Sequence, residues 1–202
     1  VWLHATNTDD ASNNNTKTAM YDSLRTNLPR EVMGFEAFPF TSSSFSSSVD
    51  TRRFCSHKDV QGYLQEFAIT FQLFDLLEFN TTVKECRNNH SMKIEEEEEE
   101  EFGPKWTVKY EQGEKKEVKR DTFDAVVVAN GHYSKPRSAY FPGVDVFPGN
   151  QMHSSTYKEP SVFTNQNVVL IGAQASGEDI SRDIATKAKN VYLSAKTWQN
   201  AE

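Results

Sequence analysis

Residues 167–194 read NVVLIGAQASGEDISRDIATKAKNVYLS. Asn167 to Ile171 is a short apolar, β-branched run, suited to a strand. Gly172 to Gly177 turns the chain, Glu178 to Lys189 has helical character, and Val191 to Ser194 returns as a second strand. Strand, glycine turn, helix and strand within about 30 residues make the βαβ half of a mononucleotide-binding fold. The stretch therefore predicts an α/β, Rossmann-like architecture with parallel pairing.

In such a turn the first glycine permits the tight bend. The second lets backbone approach a diphosphate, and the third lets helix pack on strand. Gly172 and Gly177 fill the first and third positions, and Gln174 occupies the second. The Gln174 Cβ would crowd a diphosphate or push it outward. Ser176 is expected to cap the helix, with Asp179 completing a capping box. The free N–H groups at that helix end would then face the anion. The turn alone fits a ligand-free connection equally well. A preference for NADH calls for an acidic residue at the end of the next strand. Ser194 and Lys196 stand there instead, a pattern that suits the 2′-phosphate of NADPH.

Upstream, Trp106–Tyr110, a turn at Gln112-Gly113-Glu114, Lys115–Lys119 and Phe123–Ala129 read as a β-meander. Its last strand, Ala125–Ala129, is expected to be buried. Leu76–Val83 is a further candidate strand. Seven consecutive glutamates, Glu95–Glu101, repel one another and predict an expanded, solvated hairpin loop. Ser56 and Asp59 form an S-x-x-D box before an apolar stripe of Val60, Tyr63, Leu64, Phe67, Phe71 and Phe74, which predicts a helix with a core-facing side. Residues 21–40, YDSLRTNLPREVMGFEAFPF, are aromatic and aperiodic, and so are expected to be ordered but irregular. Residues 1–20 and the Ser-rich 41–50 read as loops.

The chain has 202 residues, 37% hydrophobic and 25% charged, with net charge −7. The negative balance disfavours nucleic acid as a partner. The two cysteines, Cys55 and Cys86, form no close pair. That disfavours a zinc site or a redox dithiol, so no metal is expected. Neither a signal-peptide pattern nor an apolar run of the about 20 residues needed to span a membrane is present. The expected location is cytoplasmic. The chain begins at Val1 and not Met, so its true N-terminus is expected to lie upstream.

Four segments, YDSLRTNLPREVMGFEAFPF (21–40), VVVANGHYSKP (126–136), FPGNQMHSSTY (147–157) and VVLIGAQASGEDI (168–180), follow one another in a specific order. The third fits F-x-G-x3-H-x3-Y. In order and spacing they resemble the flavin-containing monooxygenases, in particular the plant S-oxygenase group acting on methylthioalkyl glucosinolates. The resemblance covers nearly the whole chain. It implies a two-domain flavoprotein: residues 1–142 as a partial FAD-binding domain and 143–202 as the start of an NADPH-binding domain. It implies FAD and NADPH as cofactors. One oxygen atom of O₂ would pass from a flavin C4a-hydroperoxide to a soft nucleophile, a thioether or an amine. By resemblance, Asn27 is the catalytic residue beside flavin and oxygen, with Thr26 on the same loop. Gly172, Gln174, Ser176, Gly177, Glu178 and Asp179 match the NADP-binding turn. Phe147, Gly149, His153 and Tyr157 would shape the junction with the NADPH domain.

The family's FAD-binding glycine motif lies N-terminal to the SLRTN segment, and no such motif precedes that segment here. The chain is therefore expected to be incomplete. Two alternatives follow: a catalytically inactive nucleotide-binding fragment, and a pyridine-nucleotide disulfide oxidoreductase. The second would need a cysteine pair that Cys55 and Cys86 do not supply.

Overall fold

The computed structural model describes residues 18–41, 50–89, 105–131 and 135–196. They fall into two compact units, Val1–Phe71 with Lys135–Glu202, and Gln72–Ser134.

The first unit holds the βαβ element. Strand β4 (Asn167–Ile171) pairs in parallel with β5 (Asn190–Ser194), joined by helix α2 (Ala175–Ile184). The helix starts and ends earlier than the expected Glu178–Lys189. Gln174 is its N-cap and contributes no side-chain cap bond, so Ser176 lies inside the first turn and is not the cap. Inward residues of both strands alternate: Val168, Leu170 and Val191 pack with Ile180 and Ile184 of α2. The opposite face leaves Val169, Ile171 and Tyr192 exposed.

Helix α1 (His57–Thr70) also belongs to this unit. The expected cap forms: Ser56 Oγ accepts from the Asp59 N–H at 3.3 Å and donates to Asp59 Oδ2 at 2.5 Å. Val60 and Tyr63 enter a core with Phe40 and Cys55, flanked by Met33, Phe38 and Leu64. The Tyr63 hydroxyl donates to Phe38 O at 2.6 Å and accepts from the Phe35 N–H at 2.8 Å, which ties the irregular 21–40 segment to the helix. The apolar stripe does not run on as expected. Phe71 is the C-cap, Gln72 turns left-handed at φ 53°, and Phe74 stands on a separate 3-10 turn, so Phe71 and Phe74 are exposed.

The second unit is a three-stranded antiparallel sheet: β1 (Thr81–Asn88), β2 (Trp106–Gln112) and β3 (Glu117–Phe123), with β2 central. The candidate strand Leu76–Val83 is thus shifted toward the C-terminus, beyond a 3-10 turn at Leu73–Leu76. The predicted turn is present, with Gly113 at φ 72° and Lys116 N–H donating to Gly113 O. The glutamate run lies outside the described residues, in the segment joining the antiparallel pair β1 and β2.

One expectation fails here. Ala125–Ala129 is not a buried strand: it joins no ladder, with Val127 88% and Val128 79% exposed. Its composition is that of a central strand, but no described strand lies alongside to pair with it. Composition encodes the tendency to be buried; the neighbour that buries it has to come from elsewhere.

Candidate functional site

The residues around Asn27 form an anchored loop. Arg25 bridges Ser56, the Thr26 N–H donates to Cys55 O at 3.0 Å, and the Arg30 N–H donates to Arg53 O at 2.8 Å. Side chains reinforce this. Arg25 pairs with Asp50 at 2.7 Å and donates to Phe54 O at 2.8 Å. Buried Arg30 donates to Arg52 O and Asp50 O, and its guanidinium lies 5.3 Å from the centre of the Phe40 ring. Between these anchors Asn27 is exposed, and its amide makes no hydrogen bond with any described residue. An unused amide on an immobilised loop is poised to donate to a ligand. Thr26 is different. It is buried, its hydroxyl beside the Cys55 thiol without a partner of ordinary hydrogen-bond geometry. Burial pushes the Cys55 thiol up, so this cysteine stays a neutral packing residue.

The glycine turn has the geometry its sequence implies. Gly172 adopts φ 105°, a conformation strained for any residue with a Cβ, and its N–H donates to Ser194 O at 2.9 Å. A Cβ on Gly177 would stand 1.9 Å from Gly172 O, so helix and strand approach closer than any other residue allows. The first intrahelical bond runs from the Glu178 N–H to Gln174 O at 3.0 Å. The N–H groups before it point out of the helix end, where an anion is favoured. Gln174, Ser176, Glu178 and Asp179 are all exposed at this end of α2. Ser194 and Lys196 are exposed at and just beyond the end of β5. The residues present fit a dinucleotide diphosphate: a positive-φ glycine opens the turn and a helix N-terminus faces it. For the FAD diphosphate, no second cradle of this kind occurs among the described residues.

The signature residues behave as structure. His153 caps a 3-10 turn, its Nδ1 accepting from the Ser155 N–H at 3.1 Å. Tyr157 is 1% exposed, edge-on to Tyr21 with ring centres 5.4 Å apart. Its hydroxyl donates to Asp183 Oδ2 at 2.5 Å. Burial, then this bond, pushes the phenol well above its usual range. Phe147 is exposed with its ring against Gly149.

Sequence reasoning missed the contacts that hold segment 18–24 on this core. Lys158 Nζ donates to Thr18 O and Met20 O, both at 2.8 Å, and burial lowers its pKa. Ser23 Oγ donates to Asp183 Oδ2 at 2.7 Å. Tyr21 and Leu24 pack with Tyr157, Ile180 and Ile184. These partners lie more than a hundred residues apart in the chain, and no local pattern announces them.

The fold and the turn together define a Rossmann-type nucleotide-binding unit of the flavin monooxygenase kind. The Flavin-binding monooxygenase-like family model matches residues 6–200, and the chain belongs to that family. It is 46% identical over 181 residues to flavin-containing monooxygenase FMO GS-OX-like 4 of Arabidopsis thaliana, covering 89% of this chain and 38% of that protein. Against FMO GS-OX5 of the same plant it is 40% identical over 204 residues, covering 98% and 41%. The structure of S-allyl-L-cysteine S-oxygenase from Allium sativum superposes with a TM-score of 0.80 at 39% identity, covering 99% and 44%. Tmm from Pelagibacter sp. gives 0.75 at 25% identity, covering 95% and 40%. The chain thus spans 38% to 44% of the length of these relatives.

Proposed function

We propose that this chain is part of an NADPH- and FAD-dependent monooxygenase. The full-length protein would transfer one oxygen atom from O₂ to a soft nucleophile, most specifically the thioether sulfur of a methylthioalkyl glucosinolate. The observation that carries this reading is the pairing, within one compact unit, of the anchored loop bearing a free Asn27 amide with the Gly172–Gly177 turn. Substrate chemistry is supported by a relative whose name specifies S-oxygenation of a thioether, S-allyl-L-cysteine.

FAD, reduced by NADPH, supplies the oxygen activation when bound. The chain's own residues have simpler tasks. The α2 N-terminus and the turn hold the coenzyme diphosphate, and Ser194 and Lys196 accept the 2′-phosphate. Asn27 lines the flavin side, and buried Thr26 supports it from behind against Cys55. The Asn27 amide donates a hydrogen bond to developing negative charge without offering an acidic proton. We assign residues 1–142 to the FAD-binding domain and 143–202 to the start of the NADPH-binding domain. We place the protein in the cytoplasm; no described helix is long and apolar enough to cross a membrane.

The test is product analysis with the full-length protein, NADPH and O₂, offering a methylthioalkyl glucosinolate, S-allyl-L-cysteine and a tertiary amine. Sulfoxide formation is expected, fastest with the glucosinolate. Turnover of the amine alone would overturn the S-oxygenase reading. A second reading, an inactive nucleotide-binding fragment, is favoured by the unpaired Ala125–Ala129 segment and by Gln174 in the turn. It predicts no sulfoxide from any of the three.

A further inference from the structure

Asp183 lies eight residues beyond Ala175 on α2, about 12 Å along the axis from the coenzyme end. It therefore does not touch the diphosphate. Its Oδ2 nevertheless accepts hydrogen bonds from two hydroxyls on two separate segments, Tyr157 OH at 2.5 Å and Ser23 Oγ at 2.7 Å. A carboxylate oxygen suits this, since it accepts only and has lone pairs for both donors. Tyr157 stays a donor because burial holds it protonated.

Ser23 stands four residues before Asn27, and the backbone between them is pinned. Leu24 O accepts from the His57 N–H at 3.2 Å, Arg25 bridges Ser56, and the Thr26 N–H reaches Cys55 O at 3.0 Å. At the other end of α2, Gly177 leaves no space between helix and Gly172. A stiff helix thus joins the glycine turn to the Asn27 loop, with Asp183 as the joint.

We propose that Asp183 is a positioning residue: through Ser23 it fixes the Asn27 loop to α2, so that a coenzyme on the Gly172–Gly177 turn is felt at residues 22–28. This rests on the coenzyme reading given under Proposed function.

Hydrogen–deuterium exchange of the full-length protein with and without NADP⁺ tests it, together with the ratio of H₂O₂ released to NADPH consumed. NADP⁺ is expected to slow exchange over both 172–178 and 22–28. In Ser23→Ala, which removes one exposed hydroxyl, protection persists over 172–178 and is lost over 22–28, and the H₂O₂ ratio rises several-fold. Asp183→Leu does the same, and Asp183→Asn, which retains an acceptor oxygen, restores both readouts. If Asp183→Leu fails to fold, Ser23→Ala decides. A merely structural bond would lower stability but leave the NADP⁺-dependent protection over 22–28 and the H₂O₂ ratio unchanged in Ser23→Ala, and that result overturns the proposal. No protection over 172–178 in the unaltered protein overturns the coenzyme reading, and the proposal with it.

Discussion

Asn27 is exposed while both its flanks are bonded, so substituting it should change chemistry more than folding. Asn27→Ala or Asn27→Asp in the full-length enzyme is expected to leave flavin reduction largely intact. Oxygen transfer should fall by about 10²-fold, the range for loss of one oxyanion donor. NADPH would then yield H₂O₂; a normal sulfoxide yield per NADPH would rule the role out. Gln174 makes the opposite kind of prediction. Its side chain caps nothing, so Gln174→Gly costs the helix little. Removing the Cβ should let backbone and diphosphate approach, so NADPH binding measured by titration should tighten; unchanged or weaker binding would show that Gln174 does not crowd the site. Ser194 and Lys196 lead to a third. Stopped-flow flavin reduction should be faster with NADPH than with NADH, and the reverse order would remove the argument from these two residues.

At the scale of elements, three tyrosines link segments to one another. Tyr157 and Tyr21 join 18–24 to α2, and the Tyr110 hydroxyl donates to Asp121 across β2 and β3. Burial, with Asp179 and Asp183 adding to it, pushes Tyr21 from 10.0 up to about 12. The bond to Asp121 leads in raising Tyr110 to about 12. The unfolded chain releases these protons at lower pH than the folded one. Their contribution is therefore complete below pH 10 and is lost as pH rises toward 12. Urea unfolding followed between those limits should show declining stability, less steeply in Tyr21→Phe. The same slope in both proteins would exclude Tyr21 as a cause. The βαβ element itself was legible from sequence, because glycine spacing and strand composition are local. So was the Ser56 cap. The start of α2 was not: Ser176 is a good capping residue, but the close contact of Gly177 with Gly172 fixes the helix entry two residues earlier, at Gln174. Ala125–Ala129 misled for a related reason, since β-branched composition says nothing about which strand lies next to it.

For the whole molecule the exposed apolar surface decides. Parallel sheets are normally covered on both faces, yet Val169, Ile171 and Tyr192 are open, as are Val127 and Val128. Residues 1–202 expressed alone are accordingly expected to aggregate and to lack FAD. A soluble, yellow preparation that forms sulfoxide would contradict this. The role proposed for Asn27, by contrast, comes only through resemblance: nothing in SLRTN itself separates a ligand-facing amide from an ordinary turn residue, and the anchoring by Cys55 and Arg53 emerges only in three dimensions.

The hairpin of β1 and β2 closes its ladder at Asn88 opposite Trp106, with one further bond from the Asn89 N–H to Lys105 O at 2.8 Å. Everything beyond that bond is topologically a detour. Doubling the length of such a detour costs only about 0.6 kcal/mol in closure entropy. Such a connection is thus a natural graft point: an affinity peptide or a fluorescent reporter spliced between Asn89 and Lys105 should leave the sheet's register intact.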